Sequence, residues 1–267
     1  MSTLFLVATP IGNLDDMTYR AVRVLSSVAL VAAEDTRSAR VLFHRYDVET
    51  KSTSYNEHNA RAKTPLLLRA LDAGDIALIS DAGMPAISDP GHDLVLAALD
   101  AGHDVVPIPG ASAVVAALAA SGLDSRRFHY LGFLPRQSGP RRKALATAAG
   151  SGATLVVYES PHRVRATLID ALEALGDRRT AVCRELTKLH EEIWRGTISA
   201  AIEHFAEPRG EFTLVIEGGL PSAQPEHPAV VAAELRRTKT AAKTAVAELM
   251  RRCRLSRRDA YALWHRT

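Results

Sequence analysis

"ISDAGMPAISDPGHD", Ile79 to Asp93, follows directly on the apolar run "DIALI" and holds three aspartates, two prolines and two glycines. One Gly or one Pro is enough to turn a chain leaving a strand, so this many backbone breakers specify a long, shaped loop with bare main chain. Such loops gather at the carboxyl ends of strands in parallel sheets, where α/β proteins place their ligands. Outward from it, apolar runs between turn signals predict strands at Leu4–Thr9, Val28–Ala33, Ile76–Ser80 and Asp104–Pro107. Helical patterns fall near Thr18–Ser27, Arg37–Arg45, Ala60–Ala73, His92–Ala101 and Ser112–Ala120. That alternation implies an α/β layer on a mainly parallel sheet.

A short strand predicted at His129–Phe133 leads into "LPRQSGPRRK", whose Pro, Gly and basic residues suit a domain boundary at Leu134 to Pro140. Beyond it the pattern predicts a helix from Arg141, a strand at Ala153–Tyr158, a helix over Pro161–Leu175 and strands at Thr180–Arg184 and Glu192–Gly196. A helix at Ile198–Phe205 and a strand at Phe212–Glu217 complete a second α/β domain. "GGLPSAQPEHP" from Gly218 reads as a linker, and Ala229 onward as helix broken near Leu255–Ser256. The expected division is 1–134, 135–220 and a linker with helical extension over 221–267.

A chain of 267 residues, 47% of them hydrophobic, can bury two medium cores. No apolar run approaches the roughly 18–20 residues needed to span a bilayer, and the start lacks a basic n-region, so a cytoplasmic protein without a membrane partner is expected. Cys183 and Cys253 stand alone, without C-x-x-C partners, and are expected to be reduced packing residues. The net charge of +3 conceals an asymmetry: Arg236 to Thr267 carries ten Lys/Arg against two acids, while the remainder carries 23 basic against 28 acidic residues. A basic tail on an acidic body suits a polyanionic partner, although a solvated helix face gives the same count.

Three loops at expected strand ends bare their backbone: "TPIGN", "SDAGMPAISDPG" and "PIPGASA". Together they predict one pocket, in which Gly110 to Ala113 offer N–H groups and a hydroxyl, or simply cap a helix. No G-x-G-x-x-G follows a strand, and the only G-x-G, Gly150–Gly152, precedes one. Walker A, G-x-S-x-G and H-E-x-x-H patterns are likewise missing, which leaves His92 and His103 as helix-face residues. Asp81 and Asp89 could hold a cation, but Asp beside Gly or Pro is more often a turn former, and no metal is expected.

The segments "LFLVATPIGNLDD", "EDTR" (Glu34–Arg37), "ISDAGMPAISDPG", "PIPGASA", "YESPHR" (Tyr158–Arg163), "RELTKLHEE" (Arg184–Glu192) and "GEFTLVIEG" (Gly210–Gly218) resemble the tetrapyrrole methylase superfamily. More closely they resemble its ribosomal RNA branch, the small-subunit (16S) rRNA cytidine-2′-O-methyltransferases. Porphyrin-modifying members have a G-D-P loop where this chain has Ser80-Asp81-Ala82, which argues against a tetrapyrrole substrate. The resemblance implies a class III methyltransferase fold of two α/β domains with S-adenosylmethionine between them, a basic helical C-terminal extension, and a homodimer. It assigns cofactor contacts to Asp81, Ala82, Gly83, Met84, Ile87, Ser112, Ala113, Tyr158, Glu159 and Leu186. Tyr158 could equally be a core aromatic at a strand end.

Methyl transfer to a ribose hydroxyl demands alignment and removal of one proton. Among the ionisable residues of the two second-domain loops, Glu159 or Glu185 is expected to accept that proton, with Lys188 and Arg163 positioning phosphate and oxygen; alternatively the four form an ion-pair network joining the loops. Thr9, Pro10, Asn13 and Arg37 are expected on the substrate side, although Glu34 and Asp35 could simply cap the next helix with Arg37 in water. Arg251, Arg252, Arg254, Arg257 and Arg258, with Tyr261 and Trp264 interleaved, suit an RNA contact, or the aromatics form one packing face. Two other functions stay open: a superfamily methyltransferase acting on a small molecule, and a non-catalytic ribosome assembly factor.

Overall fold

The computed structural model describes residues 2–219, 227–238, 240–253 and 255–265. Its first sheet is built from β1 (Thr3–Val7), β2 (Leu30–Ala33), β3 (Ser52–Ser54), β4 (Ile76–Ile79) and β5 (Asp104–Ile108), in the order β3-β2-β4-β1-β5 and parallel throughout. Every residue of β4 is buried. Alternate side chains serve opposite faces: Ala77 and Ile79 join Leu25, Leu42 and Phe43 on one, while Ile76 and Leu78 join Leu67, Leu71 and Leu94 on the other. The helices responsible are α1 (Tyr19–Ser27) and α2 (Thr36–Arg45) on the first face, and α3 (Ala60–Ala73) and α4 (His92–Asp100) on the second. Burial on both faces is why these strands read as continuous apolar runs.

Adjacent strands β1 and β4 send the chain in opposite directions, towards β2 and β5 respectively, so their exit loops part at a topological switch point. The loops are nevertheless tied: Thr9 N–H donates to Gly83 O at 2.9 Å and Gly83 N–H to Thr9 O at 3.1 Å.

After β5, helix α5 (Ala113–Ser121) leaves the first sheet and lies on the second. Its run "AVVAALAAS" is apolar nearly all round, as a helix buried between layers must be. Val114, Ala117 and Leu118 pack against Val156, Ala181, Cys183 and Val215. The second sheet contains β6 (Phe128–Phe133), β7 (Thr154–Glu159), β8 (Arg179–Arg184), β9 (Glu192–Thr197) and β10 (Phe212–Ile216), in the order β6-β7-β10-β8-β9. β10 is antiparallel to both neighbours, which points the carboxyl ends of β7 and β8 the same way. Helices α6 (Ser138–Ala149), α7 (Val164–Leu175) and α8 (Ile198–His204) cover its other face through Leu145, Leu168 and Ile198.

Several expected boundaries move. The edge strand β3 is additional, and β2 begins at Leu30. Helix α6 starts at Ser138, inside the stretch read as a domain boundary. The C-terminal extension breaks near Leu255–Ser256 as expected and also after Arg237, giving α9 (Pro228–Arg237), α10 (Ala242–Cys253) and α11 (Arg257–His265) around Val231, Leu235, Ala245, Leu249 and Ala260. Cys183 and Cys253 are both buried. Among the described residues, no helix is long and apolar enough to cross a membrane.

Candidate active site

The loops after β4 and β5 meet the ends of β6, β7 and β8 and the start of β10 around a cavity of about 470 Å3. Asp81, Ala82, Gly83, Met84, Ile87, Ser112, Ala113, Tyr158, Glu159 and Leu186, the ten residues singled out for the cofactor, all line it. Its volume lies in the ~300–1,000 Å3 range of small-molecule sites. The β4 loop is held in an unusual shape. Gly83 sits at φ +81°, and Ala86 and Ser88, which carry side chains, also have positive φ at 67° and 60°. Left-handed non-glycine residues cost energy and persist where the surroundings over-determine them. Part of that support comes from the second sheet, where Ser88 Oγ lies 2.7 Å from Tyr130 OH on β6.

One part of the cavity lining is acidic and another aromatic. Glu34, Asp81 and Asp89 lie on the first, and Glu34 Oε2 accepts from Asp81 N–H at 3.2 Å. Burial, then the charge of Glu34, pushes the Asp89 carboxyl up to about 6 against the pull of the Ser80 hydroxyl. Burial also raises Glu34. On the aromatic side Tyr158 meets Tyr130 and Phe133 edge-on, with ring centroids 5.1 and 5.7 Å apart. Burial, with Tyr130 beside it, raises the Tyr158 phenol further above its ordinary range. Among the described residues, no group of three or more His, Cys, Asp or Glu is placed to hold a metal ion.

The four expected catalytic residues separate into two local networks. Glu159 is fully buried at its side chain: Ser160 N–H donates to Oε1 at 2.9 Å, Thr167 Oγ1 donates to Oε2 at 2.7 Å, and Arg163 pairs with Oε1 at 3.4 Å. The Arg163 guanidinium donates to Leu134 O at 2.6 Å and is committed to tying the chain after β6 to the start of α7. Of the four, only Glu159 lines the cavity, and the second network reaches it through Glu211. There, Lys188 Nζ bridges Glu185 Oε1 at 3.0 Å and Glu211 Oε2 at 2.9 Å, and Glu211 lines the cavity. The Glu211 N–H, then Lys188, holds the Glu185 carboxyl below its usual range. Burial pulls Lys188 down, but Glu211 and Glu185 outweigh it and raise it overall. The expected single network joining both loops is thus two.

Of the residues expected on the substrate side, Thr9 is buried with its hydroxyl donating to Ser80 O at 3.1 Å, and Pro10 is buried beside it. Asn13 Oδ1 caps the 3-10 turn Leu14–Asp16, and its N–H reaches Thr187 Oγ1 at 3.0 Å, joining the β1 and β8 loops. Gly12 is required there, because a Cβ would fall 2.5 Å from Lys188 Cγ and 3.1 Å from Leu186 O. Arg37 points outward and pairs with Asp35, which caps α2; Glu34 does not cap but faces the cavity. Arg251 and Arg252 lie in the last turn of α10 and Arg257 and Arg258 in the first turn of α11, whereas Arg254 lies outside the described residues. The two aromatics do not share a face: Trp264 packs on the three-helix core under Arg236, and Tyr261 is exposed.

Residues the sequence did not single out include Ile11, Phe133, Cys183 and Glu211 to Thr213. They lie on or beside strands, where an apolar residue facing a cavity reads like any core residue.

Fold and cavity define a methylase of the tetrapyrrole type: residues 3–202 match the family model for Tetrapyrrole (Corrin/Porphyrin) Methylases, and the chain belongs to this family. Within it, the chain is 51% identical over 227 residues to "Ribosomal RNA small subunit methyltransferase I" of Halalkalibacterium halodurans, covering 84% of this chain and 78% of that one. The protein of the same name from Synechocystis is 51% identical over 229 residues, covering 84% and 82%. In three dimensions the chain resembles the uroporphyrin-III C-methyltransferase from Thermus thermophilus complexed with S-adenyl homocysteine. The TM-score is 0.60 at 20% identity, covering 81% of this chain and 97% of that one, a likeness of fold.

Proposed function

We propose that this protein transfers a methyl group from S-adenosylmethionine to the 2′-hydroxyl of a cytidine ribose in small-subunit (16S) ribosomal RNA. The observation that carries the reading is the convergence on one cavity of the ten residues that the resemblance assigns to the cofactor, drawn from both halves of the chain. Relatives at about half identity bear the name of a small-subunit rRNA methyltransferase, and the cytidine follows from the resemblance of the loop sequences.

The cavity fits the donor's chemistry. A cationic sulfonium and ammonium suit the part holding Glu34, Asp81 and Asp89, and a planar purine suits the wall of Ile11, Ile87, Leu186 and Tyr158. Small residues at Ala82, Gly83 and Ala113 let main-chain groups reach a ligand. When bound, S-adenosylmethionine supplies an electrophilic methyl carbon. The chain must exclude water, align an oxygen and receive its proton. Glu159 acts as a positioning residue, since its buried bonds fix the Ser160–Pro161 turn on the cavity wall. The charged Lys188 between Glu185 and Glu211 stands where the Gly12 turn meets the cavity edge, and there it lowers the cost of developing negative charge on the oxygen. Glu185 is the carboxylate of that network retained as proton acceptor.

The basic helical extension after residue 227 is assigned to RNA phosphate contact, through Arg257 and Arg258 on α11. A cytoplasmic homodimer completes the reading, resting on the family resemblance; light scattering tests the oligomer. The functional test is transfer of a tritiated methyl group from S-adenosylmethionine to small ribosomal subunits, followed by alkaline digestion. A 2′-O-methyl ribose leaves the label in an alkali-resistant dinucleotide. Label released as mononucleotide, or none incorporated, would contradict the assignment.

A further inference from the structure

A second, open cleft of about 540 Å3 adjoins the donor cavity, and the two share Ile11 and Ser112 in their walls. They are therefore neighbours across a single layer of side chain. The floor is the loop into α5, which lies flat on the exit of β1: a Cβ at Gly110 would fall 2.9 Å from Ala8 Cβ. The lining is mainly apolar, its polar side chains being Ser112 in the shared wall and Asp16, Thr18 and Thr187 along the rim. The hydroxyls of Thr18 and Thr187 accept from Ala21 N–H at 3.1 Å and Asn13 N–H at 3.0 Å, so each keeps a proton to donate. Asp16 differs from its neighbour. Asp15 pairs with Arg45 at 2.8 Å, whereas the Asp16 carboxylate has no partner among the described residues and only its N–H is engaged, to Asn13 O at 3.1 Å. One turn on, the ring of Tyr19 is 96% exposed.

A flat apolar slot beside a methyl donor accepts a planar heterocycle, and a lone carboxylate on its rim selects what that heterocycle presents. A carboxylate accepts from an exocyclic amine, repels a carbonyl edge and repels phosphate. We propose that this cleft receives the target base turned out of its stack, that Asp16 accepts from the exocyclic amine of an amino-bearing base such as cytosine, and that Tyr19 stacks on an adjoining nucleotide. The inference rests on the RNA methyl transfer proposed above and extends it to the choice of base. The carboxylate excludes a uracil at the same position, because O4 would face it as a second acceptor.

The test compares small subunits carrying the target cytidine or a uridine in its place, with wild type, Asp16→Asn, Asp16→Ala and Tyr19→Ala, alongside calorimetric affinity for S-adenosylmethionine. Wild type is expected to prefer cytidine by about 10- to 100-fold, the usual discrimination of one base-edge contact. Asp16→Asn, whose amide can donate to O4, should raise uridine methylation at least about tenfold, and Asp16→Ala should level the two rates. Tyr19→Ala should raise KM about tenfold with kcat kept. Donor affinity should stay within about twofold throughout, since none of these residues lines the donor cavity. An unchanged cytidine-to-uridine ratio in both Asp16 variants, with activity retained, overturns the proposal. Failure of wild type to methylate either subunit while still binding donor removes the RNA reading itself, and the base assignment with it.

Discussion

Replacing Asp89 by Asn should make the protein more stable and a worse binder of its donor. Burial and the nearby Glu34 raise this carboxyl from its ordinary 3.8 to about 6. At ~1.36 kcal/mol per pKa unit the rise sets a ceiling of ~3 kcal/mol on the native-state cost of keeping it ionised. Asp89 is only partly buried, so solvent screening reduces that to about 1 kcal/mol. A carboxyl whose folded-state pKa lies above its unfolded value weakens the fold when charged. The penalty is absent near pH 4, grows as pH rises, and is complete above the folded-state value of about 6. Wild type and Asp89→Asn should therefore melt together near pH 4, while at pH 7.5 the variant should melt about 2–4 °C higher, the shift expected for ~1 kcal/mol in a chain of this size. Calorimetric titration at pH 7.5 should show the reverse for function: loss of one charged partner for a cationic donor weakens binding about 10- to 100-fold. A variant that melts lower at pH 7.5, or that binds S-adenosylmethionine as tightly as wild type, would refute this account of the acidic part of the lining.

Glu159→Gln should lower Tm by several degrees, because a buried network with Thr167, Ser160 and Arg163 loses its charge, yet keep turnover at saturating donor within about threefold; a ~1,000-fold loss of kcat would instead make it the base. Lys188→Ala should cut kcat about 10- to 100-fold in single-turnover transfer with donor affinity kept, since it leaves Glu185 and Glu211 facing each other at the cavity edge. Gly12→Val should cost about 1–3 kcal/mol in urea unfolding by forcing the Leu186–Lys188 backbone off the β1 loop, and should weaken donor binding in step. Removing the chain from Pro228 should leave donor affinity intact, because the three helices have their own core, while RNA affinity falls and its salt dependence flattens.

The central strands were legible because burial on both faces makes Ile76–Ile79 and Leu30–Ala33 unbroken apolar runs. Ser52–Ser54 was not, since a three-residue polar edge strand is defined by its neighbour β2 and has no pattern of its own. "SGPRRK" reads as a linker, yet Ser138 to Pro140 begin α6: first-turn N–H groups need no helical partner, and Ser138 and Arg141 are fastened to Asp170 at 2.7 and 2.6 Å. The break after Arg237 lacks Gly or Pro and is made by Thr238, whose hydroxyl turns back on Glu234 O and Leu235 O. At the site, Asp81 to Ile87 announced themselves through breakers, whereas Phe212 and Thr213 reach the cavity only because β10 runs antiparallel between β7 and β8. Strand direction in a mixed sheet is a long-range property, and local sequence does not carry it. Charge pairing is equally non-local: nothing near Lys188 in the sequence indicates Glu211.

The most direct measurement is diffraction from crystals grown with S-adenosylhomocysteine. The account predicts the ligand between the two sheets, touching Asp81 to Ile87 and Ser112–Ala113 on one side and Tyr158 and Leu186 on the other, with its sulfur facing the cleft beyond Ile11. A ligand bound elsewhere, or held by one sheet alone, would contradict it.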